Sequence, residues 1–201
     1  VKQGQTLAAA GAVIDAGLAG TLASQGIASP EVFKKPVIGI ISTGNEVVEP
    51  GEPVPPGKIR NSNRYTLTAA LNGLGCKVSY FGIAGDDAER IARLISTALD
   101  SCDAVILTGG VSAGDYDLTP EAMKMAGAEL LVDGVAIKPG MACTYGIRDG
   151  RLIYALSGNP ASSITNFYAV VMPSIRKLCG RLEYRSAALP TDIRIKLDGR
   201  I

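Results

Sequence analysis

The sequence predicts an α/β protein of three layers (α/β/α), in which helices cover both faces of a mostly parallel sheet. Two observations carry this prediction. Short β-branched runs alternate with amphipathic helical segments between residues 37 and 180, the pattern of a parallel sheet with crossover helices. The run VIGIIST at 37–43 is apolar at nearly every position, as in a strand that is buried on both faces.

Strands and helices follow one another along this region, with turn residues between them. The predicted strands lie at 37–43, 77–84, 103–108, 129–133, 135–139, 142–147 and 151–156. The predicted helices lie at 62–75, 86–100, 119–127 and 159–180, and a short one ends at Gly26. Residues 29–36 are interpreted as a short strand and a linker, and 48–58, with four prolines, as an exposed loop.

Capping residues support the predicted helix starts. The candidate caps are Ser62 or Asn63, Thr119 and Asn159. Pro120 and Pro160 follow two of these caps, at the first helical position that proline favours. Pro173 lies inside the last predicted helix and should kink it.

Composition excludes several classes of function. The chain has 201 residues and a net charge of +1, whereas a nucleic-acid-binding domain would be basic. Its four cysteines show no C-x-x-C spacing, which argues against a zinc site and suits a reducing cytoplasm. We expect no membrane association, because no apolar stretch is long enough to cross a bilayer. The chain contains no histidine, so a histidine-assisted nucleophile is excluded.

Glycine, hydroxyl and acidic residues follow three of the predicted strands, in the loops Thr43–Glu46, Gly109–Asp117 and Ser157–Ser162. Ligands of parallel sheets bind at the carboxyl ends of the strands, so we expect the three loops to share one edge. Their glycines permit close approach of backbone N–H groups to an anion, and a helix start at Asn159 offers further donors. Taken alone, Gly109–Asp117 and Ser157–Ser162 are explained equally well as a turn or a helix cap, and Thr43–Glu46 is better explained as a strand-end turn.

Taken together, the loops indicate a phosphorylated ligand. They supply backbone amides, hydroxyls, one cation at Lys138 and four acids: Glu46, Asp86, Asp115 and Asp117. Carboxylates and phosphate oxygens are the ligands that a divalent cation such as Mg²⁺ prefers. Each considered alone, Lys138 and Glu46 are better explained as solvated surface residues, and Asp86 as an ordinary helix-start residue.

Four segments then carry a resemblance to a known family. STGNEV, GKIRNSN, LTGGVSAGDYD and KPG followed by LSGNPAS stand in the order seen in the molybdopterin molybdenumtransferases, the MoeA proteins, which are related to the E domain of gephyrin. The resemblance implies that residues 37–180 form a MogA-like molybdopterin-binding domain. It also implies that residues 1–36 end a preceding domain and that residues 181–201 begin a C-terminal β-domain. The chain, which lacks an initiator Met, would be a fragment of a cytoplasmic homodimer.

The same resemblance implies a reaction and its residues. Adenylylated molybdopterin and molybdate would give molybdenum cofactor and AMP, assisted by Mg²⁺. The functional acids would be Glu46, Asp86 and Asp117, which hold Mg²⁺, and Lys138 would be a functional lysine beside them. The substrate-binding positions would be Thr43, Gly44, Ser62, Asn63, Gly109, Gly110, Ser112, Gly158, Asn159 and Ser162.

The chain departs from the family pattern at several positions. Gly134 and Met141 stand where the family commonly has lysine, and Ser157 and Asn61 replace proline and aspartate. The upstream R-x-x-G-E-D segment that completes the family's site is not part of this sequence, so the fragment alone should have little or no activity. Two alternatives stay open: a MogA-like molybdopterin adenylyltransferase, which could otherwise be a partner, and a non-catalytic molybdopterin-binding or scaffold module.

Overall fold

The computed structural model describes residues 1–111 and 118–185. Its strands are Val37–Ser42 (β1), Val47–Val48 (β2), Ile59–Arg60 (β3), Lys77–Ile83 (β4), Ala104–Thr108 (β5), Glu129–Asp133 (β6), Cys143–Arg148 (β7) and Arg151–Leu156 (β8). Its helices are Ala16–Ser24 (α1), Ser62–Gly73 (α2), Ala88–Ser101 (α3), Leu118–Met125 (α4), Pro160–Asn166 (α5) and Met172–Leu178 (α6), and a π-helical turn at Phe167–Val171 joins the last two.

Six strands form one sheet in the order β4-β1-β5-β8-β7-β6. The first four are parallel to one another, and β7 and β6 run antiparallel to their neighbours. The predicted three-layer fold with a mostly parallel sheet is therefore confirmed. Because β1, β5 and β8 are adjacent, the loops that leave their carboxyl ends lie side by side. A tight hairpin at Asp149-Gly150 joins β7 to β8 at the opposite end of the sheet.

Two apolar cores, one on each face of the sheet, hold the helices in place. Ile38, Ile40 and Ile106 face α2 and the last helical segment, together with Leu67 and Phe167. The alternate strand positions, which include Ile41 and Leu107, face α3 and α4 on the other side. Consecutive side chains of a strand point to opposite faces, so an uninterrupted apolar run supplies both cores.

The C-terminal helical segment widens ahead of its proline. Pro173 has no N–H, and its ring would collide with the carbonyl group four residues earlier in a regular α-helix. That carbonyl belongs to Ala169, which lies within the π-helical turn Phe167–Val171. Where the sequence predicts a kink at Pro173, the structure has this π-helical turn shortly before the proline.

Two predicted strands are wrong. Residues 135–139 form a tight turn, in which Val135 N donates to Met141 O (3.1 Å) and Ile137 N donates to Val135 O (2.8 Å). These local bonds use the donors that a sheet ladder would need. Residues 29–36 contain no regular element, and Val32 and Phe33 are 69% and 58% exposed. In the predicted loop 48–58, Val48 pairs with Arg60 in the two-stranded ribbon β2–β3.

Two predicted helix caps are also wrong. Asn61, rather than Ser62 or Asn63, caps α2 by accepting from Arg64 N. Thr119 lies inside α4, which begins at Leu118, and its hydroxyl donates to Gly109 O (3.3 Å). In both places a tertiary contact, described below, decides which residue is used.

The N-terminal region packs loosely, since α1 contributes no buried residue. The domain boundaries at residues 36 and 180 stay predictions, and residues 186–201 of the expected C-terminal β-domain lie outside the described residues. Among the described helices, none has the length and hydropathy needed to span a bilayer.

Candidate functional site

The candidate site is the rim of the sheet where β1, β5 and β8 end, hereafter the rim. Ladder hydrogen bonds continue one residue past the strands: Thr43 N donates to Thr108 O (2.9 Å) and Gly109 N donates to Leu156 O (2.9 Å). The three predicted loops therefore leave the sheet from the same place. Their backbones form one continuous surface over the described residues.

Glycines are required where these loops touch. Gly109 has φ +97°, and a Cβ added to it would lie 2.6 Å from Thr43 O. Gly110 has φ +67°, and its Cβ would lie 2.3 Å from Thr119 Oγ1. A Cβ on Gly158 would lie 3.5 Å from the Gly109 Cα, which is ordinary contact. The backbone groups of two loops thus lie closer than any side chain would permit.

Two buried threonines form the floor of the rim. Thr43 is 2% exposed, and its hydroxyl donates to Thr108 O (3.2 Å). Thr119 is fully buried, and its backbone N–H donates to Gly110 O (3.4 Å) in addition to the side-chain bond described above. Because these hydroxyl protons are used inside the protein, Thr43 contributes shape to the rim rather than a free hydroxyl donor.

The loop after β1 is locked to the loop after β4. Asn45 N donates to Asp86 Oδ2 (3.1 Å), and Asp86 N donates to Asn45 Oδ1 (3.2 Å). Gly44 has φ +115°, and a Cβ there would lie 2.6 Å from the Glu46 carboxylate, so the carboxylate folds back over the glycine. Lys58 Nζ donates to Asn45 O. Glu46 and Asp86, both exposed, therefore lie on neighbouring loops.

These two carboxylates suit a hard cation, which takes oxygen ligands and keeps water in its remaining positions. The third predicted ligand, Asp117, lies outside the described residues, as do Ser112 and Asp115. Within residues 1–111 and 118–185, no three Asp, Glu, Cys or His side chains gather closely enough to hold a metal. The Mg²⁺ site therefore stays a prediction.

The loop after β8 is held by its own cap. Asn159 Oδ1 accepts from Ala161 N (3.0 Å) and Ser162 N (3.2 Å), as the sequence predicts. Two amides of the first turn are thus already paired with the cap, which leaves fewer for an anion than the sequence pattern implies. Asn63 Nδ2 donates to Gly158 O (2.9 Å) and ties the start of α2 to this loop, whereas Ser62 is exposed beside it.

Lys138 reaches the rim because β7 is reversed. Cys143 at the start of β7 pairs with Leu156 at the end of β8, so the segment before β7 lies at the rim. Gly140 O accepts from Asn166 Nδ2 (2.6 Å), which fixes this segment to α5. Lys138 is exposed. Its side chain can therefore meet an anion at the edge of the rim.

A polar network beneath the rim could not be found from sequence. Asn61 Nδ2 lies 3.0 Å from Ser42 Oγ, 3.0 Å from Tyr80 Oη and 3.1 Å from Glu49 Oε1. Arg64 Nη1 pairs with Glu49 Oε2 at 2.8 Å, and the Arg64 guanidinium stacks on the Tyr80 ring at 3.8 Å. The network joins the ribbon β2–β3 to α2 and β4, and so supports the loop that carries Glu46.

The environment of this network favours the charged form of Glu49. Burial raises the pKa of the Glu49 carboxyl, but hydrogen bonds from Tyr80 and Asn61 and the charge of Arg64 outweigh burial and hold the pKa below its ordinary value of 4.5. Burial, with a further contribution from Glu49, raises the pKa of Tyr80 to about 12. Tyr80 therefore stays a neutral donor to an ionised carboxylate.

The chain is similar to proteins of molybdenum cofactor synthesis. A molybdopterin molybdenumtransferase of Staphylococcus aureus is 37% identical over 182 residues, which are 90% of this chain and 43% of that protein. The crystal structure of a molybdopterin biosynthesis MoeA protein of Pyrococcus horikoshii superposes with a TM-score of 0.78 at 35% identity, covering 87% of this chain and 43% of that one. This chain therefore spans less than half the length of these relatives.

The fold also occurs as a shorter chain. A molybdopterin biosynthesis protein of Mycobacterium abscessus shares the fold with a TM-score of 0.58 at 17% identity, covering 72% of this chain and 94% of that one. The family model described as a probable molybdopterin binding domain matches residues 39–177, which include most of β1, the rim loops and nearly all of the last helical segment. The resemblance inferred from the sequence is thus confirmed, and the chain belongs to the family of probable molybdopterin-binding domains.

Proposed function

We propose that this chain is the molybdopterin-binding part of a molybdopterin molybdenumtransferase, and that its rim binds adenylylated molybdopterin. The close packing of three loops at adjacent strand ends carries the proposal, because it offers backbone on one surface to a flat, phosphorylated ligand. The relatives that share about 37% identity bear that enzyme's name. The parent protein would act in the cytoplasm as a homodimer and receive its substrate from a MogA-like adenylyltransferase.

In this proposal each part of the rim has a role. Gly109, Gly110 and Gly158 let the pterin and phosphates approach the backbone. Glu46 and Asp86, with Asp117, would hold Mg²⁺, which neutralises charge on the diphosphate when it is bound. Lys138 would attract molybdate at the edge of the rim. The two dithiolene thiols of molybdopterin would then replace one oxygen of molybdate, which leaves as water, and a water molecule would cleave the phosphoanhydride bond so that AMP leaves.

A second candidate function is a module that binds molybdopterin without turnover. Met141, at a position where the family commonly has lysine, is 64% exposed at the rim and brings no charge. Gly134, the other such position, has φ +82°, a conformation that lysine rarely adopts. The anion site would thus lack two cations, which favours binding over transfer.

Titration of the chain with molybdopterin and with its AMP ester, with and without Mg²⁺, tests both candidates. Glu46→Gln and Asp117→Ala should each weaken Mg²⁺-dependent binding by about tenfold or more, as expected when a charge-assisted contact is lost. Asp149→Asn is the matched control, because this acid is exposed in the β7–β8 hairpin at the far end of the sheet. Unchanged Mg²⁺ dependence in Glu46→Gln and Asp117→Ala would remove these acids from the site.

The response to molybdate distinguishes a transferase from a module that only binds molybdopterin. Lys138→Ala should reduce the response to molybdate and leave affinity for molybdopterin nearly unchanged, because the lysine lies at the edge of the rim. Binding of both pterins without molybdate insertion, even after the upstream residues of the parent protein are restored, would establish the binding module. Failure of both pterins to bind would refute both candidates.

A further inference from the structure

Two thiols lie close together at the end of the sheet opposite the rim. Cys76, just before β4, and Cys179, just after α6, are 103 positions apart, yet their Sγ atoms are 3.9 Å from each other. All four cysteines of the chain are free thiols. Cys102 and Cys143 are each only 2% exposed. The Cys76–Cys179 pair, hereafter the dithiol, is therefore the candidate for chemistry between thiols.

A cavity gives access to the dithiol. A cavity of about 940 Å³ lies between the N-terminal segment and the α/β domain, and Cys179, Leu74 and Arg181 contribute to its wall. Cys179 is half-buried, whereas Cys76 is 7% exposed behind it. A small oxidant that enters the cavity meets Cys179 first.

The surroundings of Cys76 and Cys179 indicate different roles for the two thiols in oxidation. Arg181 Nη2 donates to Leu74 O (2.9 Å), which holds a positive charge beside the pair, and Cys179 Sγ also contacts this carbonyl. Burial, followed by the influence of Cys179, raises the pKa of Cys76 to about 12. Cys76 thus reacts second, as the resolving thiol.

We propose that the dithiol is an oxidation site that forms a reversible disulfide on exposure to a hydroperoxide. Cys179 loses its proton and its sulfur attacks one peroxide oxygen; the O–O bond breaks, Cys179 becomes a sulfenic acid, and the other oxygen takes up a proton and leaves as an alcohol, or as water when the oxidant is hydrogen peroxide. Cys76 then loses its proton and attacks Cys179 Sγ, the S–O bond breaks, and the hydroxyl group leaves with a proton as water. The two sulfurs lose two electrons in total, and these reduce one hydroperoxide group.

The two sulfur atoms need to move only a short distance to form a disulfide. A disulfide needs Sγ atoms about 2.05 Å apart, so the present 3.9 Å must shorten by about 1.9 Å. Cys179 lies beyond the last residue of α6 and is followed by Gly180 at φ +73°, where the chain leaves the helix. The end of a helix moves more easily than its interior, so rotation of the Cys179 side chain with a small backbone shift closes the gap.

The bond would join the α2–β4 connection to the end of α6 and enclose most of the α/β domain in one covalent loop. Such a loop restricts the unfolded chain. Oxidation should therefore raise the thermal midpoint by about 5–10 °C. The rim, at the other end of the sheet, keeps its geometry.

The test is to treat the 201-residue chain with hydrogen peroxide, count its thiols and map its disulfides by mass spectrometry. We expect the thiol count to fall from four to two, with a Cys76–Cys179 peptide pair that dithiothreitol separates. Cys76→Ser and Cys179→Ser should abolish this pair, whereas Cys102→Ser and Cys143→Ser, as matched controls, should retain it. Retention of four thiols by the folded chain, a bond that maps elsewhere, or oxidation that stops at sulfinic acid would overturn the proposal.

Discussion

Gly109→Ala should be among the costliest single-methyl changes in this protein. Two effects add at this position. The backbone has φ +97°, where an L side chain is strained. The new Cβ would also lie 2.6 Å from Thr43 O and 2.7 Å from Thr43 Oγ1, at the point where the loops after β1 and β5 meet. Thr43 is buried and hydrogen-bonded to Thr108, so it cannot move aside without breaking that contact.

The expected magnitude follows from these two effects. A left-handed conformation costs a non-glycine residue about 1–2 kcal/mol. Forcing a methyl group into closely packed atoms costs about 1–3 kcal/mol more. Gly109→Ala should therefore lower the free energy of unfolding by about 2–5 kcal/mol. A marginally stable domain would lose a large part of its stability.

Substitutions at two other glycines separate the cost of the backbone strain from the cost of the steric overlap. Gly57 has φ +78° but no atom within 4 Å of an added Cβ. Gly57→Ala should therefore lower the free energy of unfolding only by the backbone strain, about 1–2 kcal/mol. Gly73 ends α2 with equal space and no positive φ, so Gly73→Ala should gain up to about 0.5 kcal/mol. Urea unfolding of wild type and the three variants measures their free energies of unfolding, and these can be compared if the dependence on denaturant is the same in all four proteins. Equal losses in Gly109→Ala and Gly57→Ala would refute the close approach of the two rim loops.

Two further predictions concern polar groups near the rim. Because the folded state lowers the pKa of Glu49, its stabilising contribution is present above the ordinary value of 4.5 and is lost as the pH falls through the folded value. Glu49→Gln should thus be less stable than wild type at neutral pH, and the gap in unfolding midpoint should close on acidification; parallel pH profiles would contradict this. Ser163 is 2% exposed, and its hydroxyl has no hydrogen-bond partner within residues 1–111 and 118–185, so Ser163→Ala should leave the free energy of unfolding unchanged or raise it by about 1 kcal/mol, and a comparable loss would reveal a bond to this hydroxyl.

Local rules predicted some helix starts and failed at others for identifiable reasons. Asn159 and Pro160 were predictable because the cap and the first-turn amides that it accepts from are neighbours in sequence. The α2 start offers three consecutive capping types, and contacts of Asn61 with Ser42 and Tyr80, 19 positions away on either side, decide among them. Thr119 has the sequence context of a cap, but its hydroxyl is used by Gly109 O instead.

The candidate site was likewise predictable from the sequence only in part. The position of the three rim loops follows from the alternation of strands and helices, because parallel strands present their carboxyl ends together. The closeness of Gly109 to Thr43 does not follow from it, since a glycine-rich turn is compatible with many separations. The Glu49 network joins residues up to 31 positions apart through partly buried side chains, and no local pattern distinguishes this carboxylate from a solvated one.

The reversal of β7 also has a practical consequence. Its hairpin to β8 turns at Asp149 and Gly150, with φ +51° and +75°, and faces away from every loop of the rim. A fluorophore or an affinity handle grafted at this turn would report on the molecule without obstructing ligand entry. The antiparallel pair therefore provides a built-in attachment point for single-molecule and pull-down work.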